Sequence, residues 1–217
     1  MKSKNIIILL ALLLMIVTVV SAIPKQFTVR EGWNLVTFQV IDQIPTQFSE
    51  DYKIRLYFLD PNTKEYVGGT IKEAESSLLG LSESEFLLSG FWIYTNTDFD
   101  VNVRIKDKND VGEARELQEL NDFFDSQEQH LNEGWNLLAI HELMLDNTLE
   151  DVKGTCNFQS VYHFERNQWF KQSDGDLIES FTQDSIGHSL AVKVSDTCKL
   201  DFEEDSEEDS DVPEFPS

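Results

Sequence analysis

Paired carboxylates, histidines beside a nucleophile, thiols and exposed indoles are the side chains through which this 217-residue chain could do chemistry. Glycoside hydrolysis needs two carboxyls across a cleft, one of them held protonated. Asp98 with Asp100, or Asp174 with Asp176, are the candidate pairs, but a module of fewer than 100 residues rarely builds such a cleft. Serine hydrolysis needs a serine oriented by a histidine and an acid, and no Gly-x-Ser-x-Gly elbow occurs. His130, His141, His163 and His188 are scattered, and the last three would have to converge in space to hold a metal. Asp174-Gly175-Asp176 offers oxygen ligands for calcium without EF-hand spacing. The economical reading of both it and Asp60-Pro61-Asn62 is a turn. There is no P-loop and no dinucleotide fingerprint. The expectation is a protein with no catalytic residue, no metal and no cofactor, hence not an enzyme.

Export is the next expectation. Lys2 and Lys4 precede the apolar run Ile6 to Val20, and Val20-Ser21-Ala22 offers small residues for a signal peptidase, so residues 1–22 are read as a signal peptide. The run is short for a membrane span, which needs about 20 apolar residues, and a membrane contact follows only if the leader stays uncleaved. The formal net charge is −23, with no cluster of Lys and Arg, which disfavours nucleic acid as a partner. Nine acids crowd residues 201–214, and 203–217 is read as an acidic, disordered tail. An exported chain with an even number of cysteines invites a disulfide between Cys156 and Cys198. It would close a loop of about 40 residues, worth roughly 3–4 kcal/mol on chain-entropy grounds.

What must position these groups is a unit that occurs twice. Glu31-Gly32-Trp33-Asn34-Leu35 returns as Glu133-Gly134-Trp135-Asn136-Leu137. The elements that follow keep their order: a strand at Leu56 to Leu59 matches Val161 to Phe164, Tyr66-Val67 matches Trp169-Phe170, and the strand after Gly90 matches the strand after Gly187. Short helices are expected at 46–51, after Thr70 and at 149–153, the last two from capping-box spacing. Between the units, Ala114, Leu117, Leu120 and Phe124 share one helical face. The predicted fold is mainly β with short helices (α+β). A β-rich module spans 23–108, a linker helix 109–128 and a homologous β-rich module 129–202.

The phrase Gly32-Trp33-Asn34, the closing Gly90-Phe91-Trp92 and the second Gly134-Trp135-Asn136 resemble the GWN-type modules of exported and cell-surface archaeal and bacterial proteins. His188-Ser189 stands where that resemblance places the closing aromatics of the second unit. The resemblance implies an extracellular β-rich accessory or adhesion-like module. Physically, Gly suits a tight turn at positive φ, Asn bonds local backbone at a strand start, and Trp anchors a small core. Trp33 and Trp135 are therefore expected inside, with stacking of exposed indoles on sugar rings as the rival. The function expected is a secreted or cell-surface interaction or structural module, its partner an extracellular protein or glycan. The alternative is a carbohydrate-binding part or hydrolase.

Overall fold

The structure is a computed structural model that describes residues 23–44, 53–70, 73–74, 81–106, 110–172 and 179–202. The leader, the tail, the helix expected at 46–51 and the calcium candidate at Asp174 and Asp176 lie outside the described residues. The fold is mainly β with short helices. In chain order the strands are β1 (Ile23–Val29), β2 (Gly32–Thr37), β3 (Arg55–Leu59), β4 (Tyr66–Gly69), β5 (Gly90–Thr95), β6 (Phe99–Ile105), β7 (Gly134–Ala139), β8 (Phe158–Glu165), β9 (Gln168–Lys171) and β10 (Ser189–Val194). The helices are α1 (Phe38–Asp42), α2 (Glu83–Leu88) and α3 (Val111–Asp125).

Two four-stranded antiparallel sheets have the same strand order, β2-β5-β3-β4 in the first half and β7-β10-β8-β9 in the second. Register defines which residues correspond. Gly32 faces Thr95 and Leu35 faces Trp92, while Gly134 faces Val194 and Leu137 faces Ala191. Ala191 is thus the counterpart of Trp92, and Ser189 that of Gly90. The match of Gly90 to Gly187 expected from sequence is therefore displaced by two residues, because Gly187 lies in the turn before β10. Tyr57 corresponds to Tyr162, and Tyr66 to Trp169.

The halves differ at their ends. β1 and β6 pair over seven residues from Ile23↔Ile105 to Val29↔Phe99. The second half keeps one bridge of that ribbon, Leu131↔Cys198. There the Cys156–Cys198 disulfide ties the C-terminal segment to the turn at 148–156, with the two Cα atoms 5.0 Å apart. That turn has the capping bonds the sequence suggests, Thr148 with Asp151, but it closes as a series of turns rather than a helix. The Thr70–Glu73 capping pair is likewise formed.

The two units expected from sequence share one core. A four-stranded sheet of short strands has too little apolar surface to cover its own inner face. Leu56, Phe58, Phe91 and Ile93 of the first sheet join Leu138, Val161, Leu190 and Val192 of the second in a single apolar cluster. Leu117 and Phe124 of α3 are buried, with Phe124 in that cluster. The sheets meet through reciprocal bridges, Val36↔His188 and Ser89↔Leu138. Val36 corresponds to Leu138 and Ser89 to His188, so the junction has the self-complementary form of a twofold interface.

The repeated phrase folds identically twice. Gly32 and Gly134 have φ of +95° and +89°, a region disfavoured for residues bearing a β-carbon. Asn34 Nδ2 donates to the carbonyls of Arg30 (2.7 Å) and Gly32 (3.3 Å), and its Oδ1 accepts the Arg30 amide (3.0 Å). Asn136 makes the same three bonds to Asn132 and Gly134 at 2.8, 3.1 and 3.2 Å.

Truncating either asparagine, N34A or N136A, removes three backbone bonds from a turn and should cost about 1–3 kcal/mol, with the two values similar in chemical denaturation. A β-carbon on Gly90 would lie 2.6 Å from Cβ of Ser189, so G90A should destabilise by about 1–3 kcal/mol through overpacking. S189G should recover much of that loss, whereas additive effects of G90A and S189G would show that the two sites do not touch.

Candidate functional site

Alternation along a strand sends neighbouring residues to opposite faces. On β5, Phe91 and Ile93 point into the core, so Trp92 and Tyr94 point out; on β3, Leu56 and Phe58 point in and Tyr57 points out. On β2 the outward residue is Trp33. Trp33 and Trp135 are therefore not core residues, as their apolar bulk suggested, but are 43% and 42% exposed. The turn glycine and the asparagine clamp hold the backbone, and the indole between them is left on the surface.

The outer faces of the two sheets share a small second cluster of Leu35, Leu137 and Ala191. Beside it opens a cleft of about 840 Å³. Trp33, Tyr57, Tyr66 and Trp92 line it from the first half, and Phe164, Asn167 and Trp169 from the second. Trp92 forms its centre. The Trp33 ring lies 6.2 Å from it at 87°, Trp169 5.4 Å at 87°, and Phe164 4.7 Å at 83°. The Trp92 indole N–H donates to the Tyr66 hydroxyl at 3.4 Å. Trp169 and Tyr66 are 45% and 57% exposed. The Asn167 amide packs against Gly32, where a β-carbon would come within 3.2 Å of it. Ring contacts continue from Trp33 to Tyr94 and from Trp169 through Tyr162 to Trp135.

The other sequence candidates are dispersed. Asp98 accepts the Glu31 amide, and Asp100 accepts from Gln26 and Thr28. Both fasten strand ends. Asp60 caps its turn by accepting the amides of Asn62 and Thr63, which lower its pKa. Among the described residues no group of three or more His, Cys, Asp or Glu could hold a metal. His163 and His188 border one groove of mixed polar and apolar lining with Lys25 and Glu165. His141 is elsewhere, stacked on Phe124 at 5.5 Å near Phe202 and His130. The three histidines therefore do not converge. The surrounding protein lowers the His188 pKa to about 4 by desolvation, but its side chain is open to solvent, and water discounts that shift.

His130 Nδ1 accepts the Leu200 amide and its Nε2 donates to the Phe124 carbonyl, which fixes a neutral tautomer. Desolvation lowers its pKa. His141 is 6% exposed and its Nδ1 accepts the Leu143 amide, so its Nε2 carries the proton. Nε2 has no hydrogen-bond partner, nor do Thr37 Oγ1 and Gln39 Oε1, and the three residues line one cavity of about 60 Å³.

No protein-family model matches the chain, and no curated protein and no solved structure is significantly similar to it. No helix among the described residues is long and apolar enough to cross a membrane.

Desolvation lowers the His141 pKa from 6.5 to about 3. The folded protein keeps this ring neutral, so below pH 6.5 the unfolded chain takes up the proton first. Its contribution is intact above pH 6.5 and is lost as pH falls toward 3, at ~1.4 kcal/mol per pH unit inside that window. Denaturation midpoints measured between pH 7 and pH 4.5 should fall accordingly. H141N, whose side-chain oxygen can still accept the Leu143 amide, should flatten the slope; an unchanged slope would remove His141 as its source.

Proposed function

We propose that the protein is an exported, non-catalytic interaction module made of two copies of one β-rich unit, and that the aromatic cleft is its contact site. The observation that carries this reading is the set of partly exposed indoles gathered in the cleft: Trp33 and Trp169 each stand nearly perpendicular to Trp92 and in contact with it, with their rings open to solvent. Burying rings of this size stabilises a small domain strongly, so indoles kept at the surface and in mutual contact suit a ligand. The seven lining residues include no carboxylate, histidine, serine or cysteine, which favours binding over turnover. The common strand order and the two asparagine clamps support descent from one duplicated unit of the GWN type. The Cys156–Cys198 bond suits an oxidising compartment, in keeping with a leader at 1–22 and with partners outside the cell.

The exposure of Trp33 and Trp169 also favours the carbohydrate-binding alternative, and one experiment addresses both. Labelled protein is sedimented with cell-envelope fragments of the producing cells and with a panel of soluble and insoluble polysaccharides. Native protein should bind envelope material, and the W33A/W169A pair should reduce that binding about tenfold or more while the melting temperature stays close to native. Equal binding by native and variant protein would remove the cleft as the contact site, and release of sugar from any panel member would overturn the non-catalytic reading.

A further inference from the structure

The shape of the cleft bears on what enters it. A flat platform for sugar rings needs aromatic faces that lie roughly in one plane. Here Trp33, Trp169 and Phe164 all stand within 7° of perpendicular to Trp92. Rings that meet at right angles enclose corners, and a group seated in such a corner faces two π surfaces at once. Polar recognition is sparse, since the lining offers only tyrosine hydroxyls, indole N–H groups and the Asn167 amide, one N–H already being given to Tyr66. A polyhydroxylated ligand would leave hydroxyls without partners there, at a cost for each one desolvated.

Resting on the reading of the cleft as a contact site, we propose that it binds a soluble small molecule bearing a quaternary ammonium group, seated against Trp92 between Trp33 and Trp169. Such a cation donates no hydrogen bond and asks for none. Its attraction is to the negative faces of aromatic rings within about 6 Å. Centroid separations of 5.4 and 6.2 Å between Trp92 and its two neighbours put more than one ring within that reach. No cationic side chain lines the cleft. Arg166, beside Asn167, is paired with Glu165 at 3.2 Å. The formal charge of −23 adds a long-range attraction for cations and a repulsion for anions. The cleft volume of about 840 Å³ falls in the range of small-molecule sites and exceeds what one trimethylammonium group fills, so the ligand carries further bulk.

The test titrates the full protein with tetramethylammonium, with choline and with 3,3-dimethylbutan-1-ol, the uncharged isostere of choline, by calorimetry and by the NMR signals of the indole N–H groups. Both cations should bind and move the signals of Trp33, Trp92 and Trp169, with the isostere about fivefold or more weaker. The W33L and W169L substitutions keep apolar bulk and remove a π face, and each should weaken choline about fivefold without changing the melting temperature. Equal binding of choline and its isostere would reduce the site to an apolar slot and overturn the proposal, as would no binding of either cation. Co-sedimentation with phosphatidylcholine vesicles while free choline fails to bind would also overturn it, by assigning the cleft to a lipid headgroup. If native protein binds envelope fragments through Trp33 and Trp169 and choline does not compete, this inference fails and the contact-site reading stands; if the tryptophan substitutions leave envelope binding unchanged, the contact-site reading fails first.

Discussion

A β-carbon on Gly90 would sit 2.6 Å from Cβ of Ser189 and 3.2 Å from that of Leu137, and this close approach of β5 to the second sheet sets the geometry of the molecule. Gly90 and Ser189 are counterparts by register, so they face each other near the approximate twofold axis. The bridges Val36↔His188 and Ser89↔Leu138 flank them. With the strands this near, the inner faces close over one core that neither half could fill alone. The same approach brings the outer faces of the sheets together, which is why aromatic residues from two distant parts of the chain share one surface.

Packing near such an axis does not tolerate two large rings, because interdigitation needs a small residue opposite a large one. Trp92 takes the large position and its counterpart Ala191 the small one. Leu35, Leu137 and Ala191 form the floor, with Trp92 and Phe164 packed against it. The departure of the second unit from the aromatic closing strand is thus a packing requirement. Where sequence comparison finds His188-Ser189 in place of Phe-Trp, the register shows Leu190-Ala191, and alanine at that point leaves room for the indole of the other half.

Local chemistry was legible in the sequence where one residue type does one job. Gly32 and Asn34, with Gly134 and Asn136, behave as glycine and asparagine at a strand start should, and the Thr70–Glu73 and Thr148–Asp151 capping pairs form. The α3 stripe was readable because Leu117 and Phe124, both buried, recur at helical spacing among exposed polar residues. A further capping box, Ser82 with Glu85 at the start of α2, satisfies the same rule, and that helix could have been found from it. The facing of the tryptophans was not legible. Leu35 and Val36 are both buried though adjacent, because one face of β2 meets the core and the other meets the second cluster. A strand covered on both sides loses the alternation from which facing is read. Nor could spacing alone place the cleft, since its walls are joined only through contacts between the halves.

The two copies of the phrase present their indoles alike, yet the aromatic cleft is lined by Trp33 and not by Trp135, and turn length accounts for the difference. β3 and β4 are joined by the longer turn through Asp60 to Glu65. From it, Lys64 reaches across to donate to the carbonyls of Asn132 and Trp135. The turn therefore lies over the start of β7, and the space lined by Pro61, Trp135 and Leu137 is only about 20 Å³. β8 and β9 are joined through Arg166 and Asn167 alone, both at positive φ. That hairpin turns back early, and its Asn167 side chain stops against Gly32. Trp33 is left beside Trp92 and Trp169 with open space in front of it. A difference of a few residues between two otherwise matching hairpins thus gives Trp33 and Trp135 unlike surroundings in a nearly symmetric fold.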